Sequence, residues 1–149
     1  MSIATHADDL VGEFRTPVNS AAQSRGSIHD DATASKLGFR GGTVAGSIHM
    51  DQFPPLLVKL YGEDWWKRGN MSFYFRQATV DRETVRAFAR AGDPHARLWM
   101  ENEKGDLIAE ATASCLGHDE GTAVENLMNG QAHSDGGSLR ILKNVKVGD

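Results

Sequence analysis

The spacing of apolar and polar residues predicts helices in the first half of the chain. A short helix is expected over residues 32–37, capped at its start by Asp30 or Asp31, since free backbone N–H groups there need an acceptor. Apolar residues recur at helical spacing over residues 44–61. Pro54-Pro55 falls inside that stretch, so the pattern predicts a kink or two helical pieces.

The chain after residue 62 has the composition and alternation of a sheet. Residues 84–91 alternate clearly, with Val85, Ala87 and Ala89 on one face. Residues 92–94 and 102–106 have turn composition, and residues 63–68, which carry two tryptophans, are interpreted as a loop. Helices followed by consecutive hairpin-linked strands predict an α+β architecture with an antiparallel sheet packed on a helix. The predicted strands cover residues 14–19, 71–79, 84–91, 95–101 and 107–116.

Composition excludes several classes of function. The chain has 149 residues, which suits one domain, and its net charge of -4 does not attract nucleic acid or an anionic membrane. The single cysteine, Cys115, excludes an internal disulfide and a multi-cysteine zinc site, and we expect no metal and no cofactor. The start of the chain is acidic rather than basic and apolar, so we expect a cytoplasmic protein without a membrane segment.

Residues 24–50 carry the most informative motif of the sequence. This stretch resembles the MaoC-like branch of the hotdog fold, and the resemblance extends over about residues 10–117. The matching features are Ile28-His29-Asp30-Asp31, Gly38-Phe39, Gly41-Gly42 and the helix that starts at Val44.

The resemblance implies an α+β hotdog fold, in which an antiparallel sheet wraps around a central helix. Residues 1–117 would form a single hotdog domain, while residues 118–149 are interpreted as a polar linker and a strand-like tail. The family also implies a homodimer or a second hotdog chain, with acyl-CoA or acyl-carrier thioester sites between two units. Its usual activity is the reversible hydration of a trans-2-enoyl thioester, a hydro-lyase reaction.

The resemblance also assigns site residues. His29 matches the catalytic histidine of the family. The backbone N–H of Ser47 matches the donor to the thioester oxygen, a role that suits a helix N-terminus. The catalytic aspartate of the family falls at Ser24, which cannot act as a carboxylate base. The residues interpreted as substrate-binding are Gly42, Val44, Gly46 and His49, with helix packing as the first interpretation of His49.

The missing aspartate leaves three functions open. The first is a hydratase or dehydratase with an incomplete Asp/His dyad. The second is a non-catalytic acyl-binding half of a double-hotdog or heteromeric assembly. The third is a hotdog thioesterase, for which Asp51 on the central helix is the candidate carboxylate.

Two further interpretations concern charged side chains. Asp31 is favoured as the cap of the short helix, because its backbone N–H groups need an acceptor. Arg76, Arg86 and Arg90 alternate with apolar residues and are expected to lie on solvated strand faces.

Overall fold

The computed structural model describes residues 3–116 and 122–130, which form one antiparallel sheet and a series of short helices. None of the helices in these two ranges has the length and apolar character needed to cross a membrane. The strands are β1 Leu10–Arg15, β2 Asn70–Phe75, β3 Val85–Arg90, β4 Ala96–Asn102 and β5 Leu107–Ser114. The helices are α1 Asp31–Lys36, α2 Gly46–Met50, α3 Pro54–Tyr61, α4 Asp64–Arg68 and α5 Ala123–Asn129.

The five strands are ordered β1-β3-β4-β5-β2, and every neighbouring pair is antiparallel. A tight turn joins β4 to β5, in which the Gly105 N–H donates to the Asn102 carbonyl at 3.0 Å. Gly105 has a φ of 78°, a conformation that glycine adopts without strain. β1 and β2 form the two edges of the sheet within the described residues.

The core lies between the sheet and α3. Leu56 and Leu57 of α3 are buried, together with Phe53 just before the helix. Phe73 of β2 stands opposite Ala111 of β5, and its ring meets Phe53 edge-on at 5.0 Å between centroids. The small alanine side chains of β5 leave room for these aromatic rings. The buried strand residues of this cluster are Val85, Ala87, Ala89, Leu98, Met100, Ile108, Ala109, Ala111 and Ala113.

The predictions for the helices are largely confirmed. α1 follows the predicted range closely, and the long helical stretch is split into α2 and α3. Pro54 and Pro55 occupy the first turn of α3, where the missing proline N–H has no intrahelical partner to lose. The prediction of a loop over residues 63–68 is wrong, because Asp64–Arg68 form α4 and Glu63 is its N-cap. Asp64 in its first turn and Arg68 in its last suit the helix dipole.

Two predicted strands have different ends in the structure. The strand predicted over residues 14–19 is wrong in position, since β1 is Leu10–Arg15 and pairs with β3 from Leu10↔Ala89 onward. The strand predicted over residues 71–79 ends at Phe75. Beyond it the chain turns towards the segment before α2, and the Val44 N–H donates to the Thr79 carbonyl at 3.0 Å. Long-range pairing, rather than local composition, sets both ends.

The segment after β5 contains a helix in its described part. Residues 123–129, which the sequence assigns to a polar linker, form α5, capped by the Thr122 hydroxyl. α5 lies close to β2 and β5. The strand-like tail proposed over residues 139–147 lies outside the described residues.

Of the three arginines expected on solvated strand faces, Arg76 is exposed, whereas Arg86 and Arg90 are partly buried against aromatic rings of the sheet. Arg90 donates to Asp9 at 2.6 Å and lies over the ring of Trp99 at 5.3 Å. The Asp9 side chain is fully buried, and the Arg90 bond lowers its pKa from 3.8 to about 2. Arg86 lies over the ring of Phe14. These guanidinium groups therefore hold the edge of the sheet and the preceding residues in place.

Candidate functional site

A cavity of about 360 Å³ lies where the α1–α2 region meets the residues that follow β2. One wall comes from residues 28–49 and the other from residues 75–79. Two histidines, His29 and His49, line it, and among residues 3–116 and 122–130 neither an aspartate nor a glutamate does. The cavity therefore combines an apolar surface with two imidazole groups.

His29 is held in one tautomer by the backbone. Its Nδ1 lies 2.7 Å from the carbonyl oxygen of Thr43. A carbonyl oxygen only accepts, so Nδ1 carries the proton and donates, and Nε2 of the neutral ring keeps its lone pair. The His29 carbonyl accepts from Asn19 Nδ2 at 2.8 Å, and the His29 N–H donates to Ser27 Oγ at 3.1 Å. The ring nitrogen that remains free is a base.

Gly42 packs closely against the backbone carbonyl of His29. A Cβ at Gly42 would lie 2.2 Å from the His29 carbonyl oxygen, so only glycine fits. The Gly42 N–H donates to Asp31 Oδ1 at 2.7 Å. The role favoured for Asp31 is thereby corrected, because Asp30 is the cap of α1 and accepts from Ala32 N–H at 2.9 Å. Asp31 instead ties α1 to the glycine turn.

Asp30 stabilises the loop that carries His29. A hydrogen bond from the Thr33 hydroxyl, followed by one from the Gly26 N–H, lowers the pKa of the Asp30 carboxyl below its ordinary value. The carboxylate thus joins α1 to the turn before it through charge-assisted bonds. This arrangement commits Asp30 to structure, and Asp30 does not line the cavity.

His49 is a buried polar residue of the cavity wall. Only 2% of the residue is exposed, and its Nε2 lies 2.7 Å from Thr79 Oγ1. Nδ1 has no hydrogen-bond partner among residues 3–116 and 122–130. Burial lowers the pKa of the imidazole, although the charge of Glu83 partly opposes this. His49 is therefore neutral at pH 7.

The start of α2 adjoins the cavity. Gly46 is its first residue and lines the cavity, whereas Ser47 is exposed and does not. The first N–H groups of a helix have no intrahelical acceptor, which leaves those of Gly46 and Ser47 for a ligand. A Cβ at Gly46 would lie 2.9 Å from the ring of Phe75, so glycine lets the end of β2 approach α2.

The structure brings four of the residues predicted from the sequence to one cavity and places three elsewhere. His29, Val44, Gly46 and His49 line it together. Gly42 is buried behind His29, and Ser47 lies at the exposed start of α2. Ser24 is exposed in a turn, where its N–H donates to Ala21, and it does not line the cavity.

Asp51, the candidate thioesterase carboxylate, is exposed and lines a separate hollow beside Arg15 and Pro17. No cluster of three or more potential metal-ligating His, Cys, Asp or Glu side chains occurs in the described part of the chain.

Sequence reasoning did not identify Thr43 and Thr79 as site residues. Thr43 sets the tautomer of His29, and Thr79 holds the ring of His49. Thr43 directly follows Gly41-Gly42, and this position next to the motif is the one sequence feature that could have indicated a role in the site. Thr79 carries no local signal, because its partner lies 30 residues earlier in the chain.

Comparison with known proteins supports the fold. No protein-family model and no curated protein matches this sequence. The chain is similar to the (R)-hydratase from A. caviae involved in PHA biosynthesis, with 20% identity, a TM-score of 0.50, and coverage of 70% of this chain and 91% of that chain. It is also similar to a monoamine oxidase regulatory protein from Archaeoglobus fulgius, with 17% identity, a TM-score of 0.50, and coverage of 70% and 84%.

A third similar structure is the C-terminally truncated HadBC (3R-hydroxyacyl-ACP dehydratase) complex from Mycobacterium tuberculosis. Here the identity is 15% and the TM-score 0.45, with 74% of this chain and 98% of that chain covered. The five-stranded antiparallel sheet, together with the two likenesses at a TM-score of 0.50, shows the α+β hotdog fold that the sequence predicts.

Proposed function

We propose that this hotdog-fold chain binds an acyl thioester in the cavity between α2 and the residues after β2, and hydrates a trans-2-enoyl thioester with His29 as the base. The observation that carries the proposal is the bond from His29 Nδ1 to the Thr43 carbonyl, which leaves Nε2 as a free lone pair on a cavity-lining ring. The motif resemblance and the fold shared with an (R)-hydratase favour the same chemistry.

A single imidazole suffices to balance the reaction. Nε2 removes a proton from water while the water oxygen bonds to C3 of the enoyl group. The electron pair of the C2–C3 double bond moves towards the thioester oxygen and forms an enolate. The imidazolium then returns its proton to C2, so the ring acts as base and as acid in turn. Dehydration is the same sequence in reverse.

The enolate oxygen needs donors that are already in place. The N–H groups of Gly46 and Ser47 at the start of α2 are the proposed donors, and of the two residues Gly46 lines the cavity while Ser47 follows it at the exposed start of the helix. Val44 contributes apolar surface for the acyl chain beside them. Loss of one positioned donor of this kind typically lowers the rate about 100-fold to 1000-fold.

A second hotdog unit is the proposed neighbour of this site, as the resemblance implies. Ile28, Phe39 and Phe75 line the cavity and remain about 40% exposed. Exposed apolar side chains at a cavity suit a surface that another chain covers. β2, which ends at Phe75, also offers a sheet edge that is unpaired within the described residues.

A non-catalytic half-unit is the second candidate, and one observation favours it. No carboxylate of the described part of the chain lines the cavity, and Ser24, at the position of the family's aspartate, lies in an exposed turn outside it. A unit of this kind would hold an acyl chain while a partner supplied the chemistry. Nothing comparable favours the thioesterase, because Asp51 lies in a separate hollow.

The test is the hydration of crotonyl-CoA, followed by loss of the enoyl-thioester absorbance. We expect turnover by the wild type, a loss of at least about 100-fold in His29→Ala, and no change in His6→Ala. His6 is an exposed histidine outside the cavity and serves as the matched control. Binding of butyryl-CoA, measured by calorimetry, runs in parallel.

Three results separate the alternatives. Turnover that survives in His29→Ala contradicts the role of this base. Binding of butyryl-CoA without turnover of crotonyl-CoA favours the half-unit. A folded protein that neither binds nor turns over either thioester contradicts both functions.

A further inference from the structure

A second cavity, of about 570 Å³, lies against the face of the sheet that points away from the core. We call it the outer cavity. Residues of β2, β4, β5 and α5 line it, and its arginine and carboxylate side chains are Arg76, Arg97 and Glu110. Its volume lies in the range of cavities that hold small organic ligands. Of the described residues, Arg76 alone lines both the outer cavity and the cavity of His29.

Arg97 gives the outer cavity a positive charge that its neighbours do not compensate. It is exposed on β4 and stands directly opposite Arg90 of β3. Side chains opposite each other on antiparallel strands have Cβ atoms about 5 Å apart, and like charges there repel. Arg90 is paired with Asp9, whereas no carboxylate lies within ion-pair distance of Arg97 among residues 3–116 and 122–130. An anion beside Arg97 would relieve this repulsion.

The other two charges of the outer cavity compensate each other. Arg76 is paired with Glu110 and lies over the ring of Tyr74, 4.3 Å from its centroid. Arg97 is therefore the arginine of the outer cavity that is available to a ligand. Arg76 instead forms part of the wall at which the two cavities meet.

The end of β2 connects the two cavities. Phe75 is its last residue and lines the cavity of His29, and Arg76 follows it directly. β2 is an edge of the sheet within the described residues, so a flexible ligand can pass round the end of this strand from one cavity to the other. The pantetheine arm of CoA is flexible and much longer than an arginine side chain, which suits this path.

We propose that the outer cavity, with Arg97 as its cation, binds the phosphate-bearing adenosine end of a CoA thioester whose acyl group lies beside His29. This inference rests on the acyl-thioester function proposed above and names the carrier of the acyl group. A guanidinium group binds a phosphate through two parallel N–H···O bonds. Tyr74 and Leu127 line the same cavity and offer apolar surface to the adenosine. A carrier protein brings no nucleotide to this cavity, so the preferred substrate is the CoA thioester.

Calorimetric binding of two saturated thioesters tests the inference without any need for turnover. The probes are butyryl-CoA and butyryl-pantetheine, which carries the same acyl group without the nucleotide. We expect the wild type to bind butyryl-CoA at least about tenfold more tightly, the gain from one charge-assisted contact. Arg97→Gln loses this preference, whereas Arg25→Gln keeps it. Arg25 is an exposed arginine outside both cavities and serves as the matched control.

Competition identifies the molecule that supplies the phosphate. Adenosine 3′,5′-bisphosphate, which reproduces most of the nucleotide end of CoA, should bind the wild type and weaken the binding of butyryl-CoA. It should leave the binding of butyryl-pantetheine unchanged. If the nucleotide and butyryl-CoA bind at the same time without competition, the outer cavity serves a separate nucleotide, and the assignment to CoA is overturned.

The remaining outcomes distinguish this inference from the function beneath it. Equal binding of the two thioesters to the wild type, or a preference for butyryl-CoA that persists in Arg97→Gln, overturns the inference and leaves the acyl-thioester site intact. Loss of the preference in Arg25→Gln as well overturns it, since overall charge would then be the cause. If neither thioester binds the folded wild type, the acyl-thioester function itself is wrong, and the inference is overturned with it.

Discussion

Substitution of Gly42 by alanine should disrupt the backbone that holds His29. The new Cβ would lie 2.2 Å from the His29 carbonyl oxygen and 3.0 Å from Asn19 Nδ2. Contacts below about 3.0 Å do not occur at real Cβ atoms, so the carbonyl must move by roughly 1 Å. That movement strains the bond from Asn19 to the carbonyl and the bond from the Gly42 N–H to Asp31.

The expected cost follows from these contacts. Overpacking of a buried site costs about 1–3 kcal/mol, and each weakened buried hydrogen bond adds about 1 kcal/mol. We therefore expect Gly42→Ala to lower the free energy of unfolding by about 3 kcal/mol, or the melting temperature by about 10 °C. Hydration of crotonyl-CoA should also fall, because the bond that fixes the His29 tautomer comes from the next residue, Thr43.

Gly41→Ala is the matched control for this measurement. A Cβ there would meet Asp31 Oδ1 at 3.3 Å and Val80 Cγ1 at 3.5 Å, which small shifts accommodate. The loss of chain entropy in the unfolded state offsets part of that strain, so we expect a change below about 1 kcal/mol. Thermal unfolding followed by circular dichroism compares the two variants. If they melt within about 2 °C of each other, the reasoning from the Gly42 contact is refuted.

Two further predictions concern acidic residues outside the cavity. Asp9 has a pKa near 2 instead of 3.8 because Arg90 binds it, so its contribution to stability is present above pH 3.8 and is lost as the pH falls towards 2. Urea unfolding between pH 3.8 and 2 should show a smaller fall in the free energy of unfolding for Asp9→Asn than for the wild type. Parallel curves of this free energy against pH for the two proteins would contradict the assignment. Asp30→Ala removes the cap of α1 and should lower the urea concentration at which half of the protein is unfolded, because the N–H groups of Ala32 and Thr33 lose their acceptor. Asp8→Ala, at an exposed position, should cost nothing measurable, and an equal loss in both variants would argue against the cap.

The elements that sequence reasoning predicts well depend on neighbouring residues. The split at Pro54 follows from the missing N–H of proline, and the turn between β4 and β5 follows from its glycine and polar residues. β1 is different, because its position depends on pairing with β3, far along the chain. Proline is disfavoured inside a central strand, but Pro17 lies beyond the end of β1 and therefore gives no information on where β1 begins or ends.

The cap of α1 shows the limit of local reasoning at a single residue. Asp30 and Asp31 are adjacent, and either carboxylate suits a helix start. The backbone decides between them, since Asp30 has an extended conformation (φ -88°, ψ 134°) and Asp31 is the first helical residue. Asp31 is then free to bind the Gly42 N–H, a contact that no spacing rule indicates.

The candidate site divides in the same way. His29 is found from the motif because the residues around it in the chain also surround it in space. The contact between His49 and Thr79 cannot be found from the motif, because α3, α4 and β2 lie between the two residues in the chain. The sequence shows that Ser24 replaces the aspartate of the family, but it does not show that Ser24 is exposed and lies outside the cavity.

The contact between Gly46 and Phe75 makes the shape of the cavity depend on the sheet edge. Phe75 ends β2, and its ring fills the space that a side chain at the first residue of α2 would need. Any displacement of this edge strand therefore moves the start of the helix as well. A chain that pairs with β2 would thus also fix the geometry of the proposed ligand cavity, so that association and cavity formation would be thermodynamically linked.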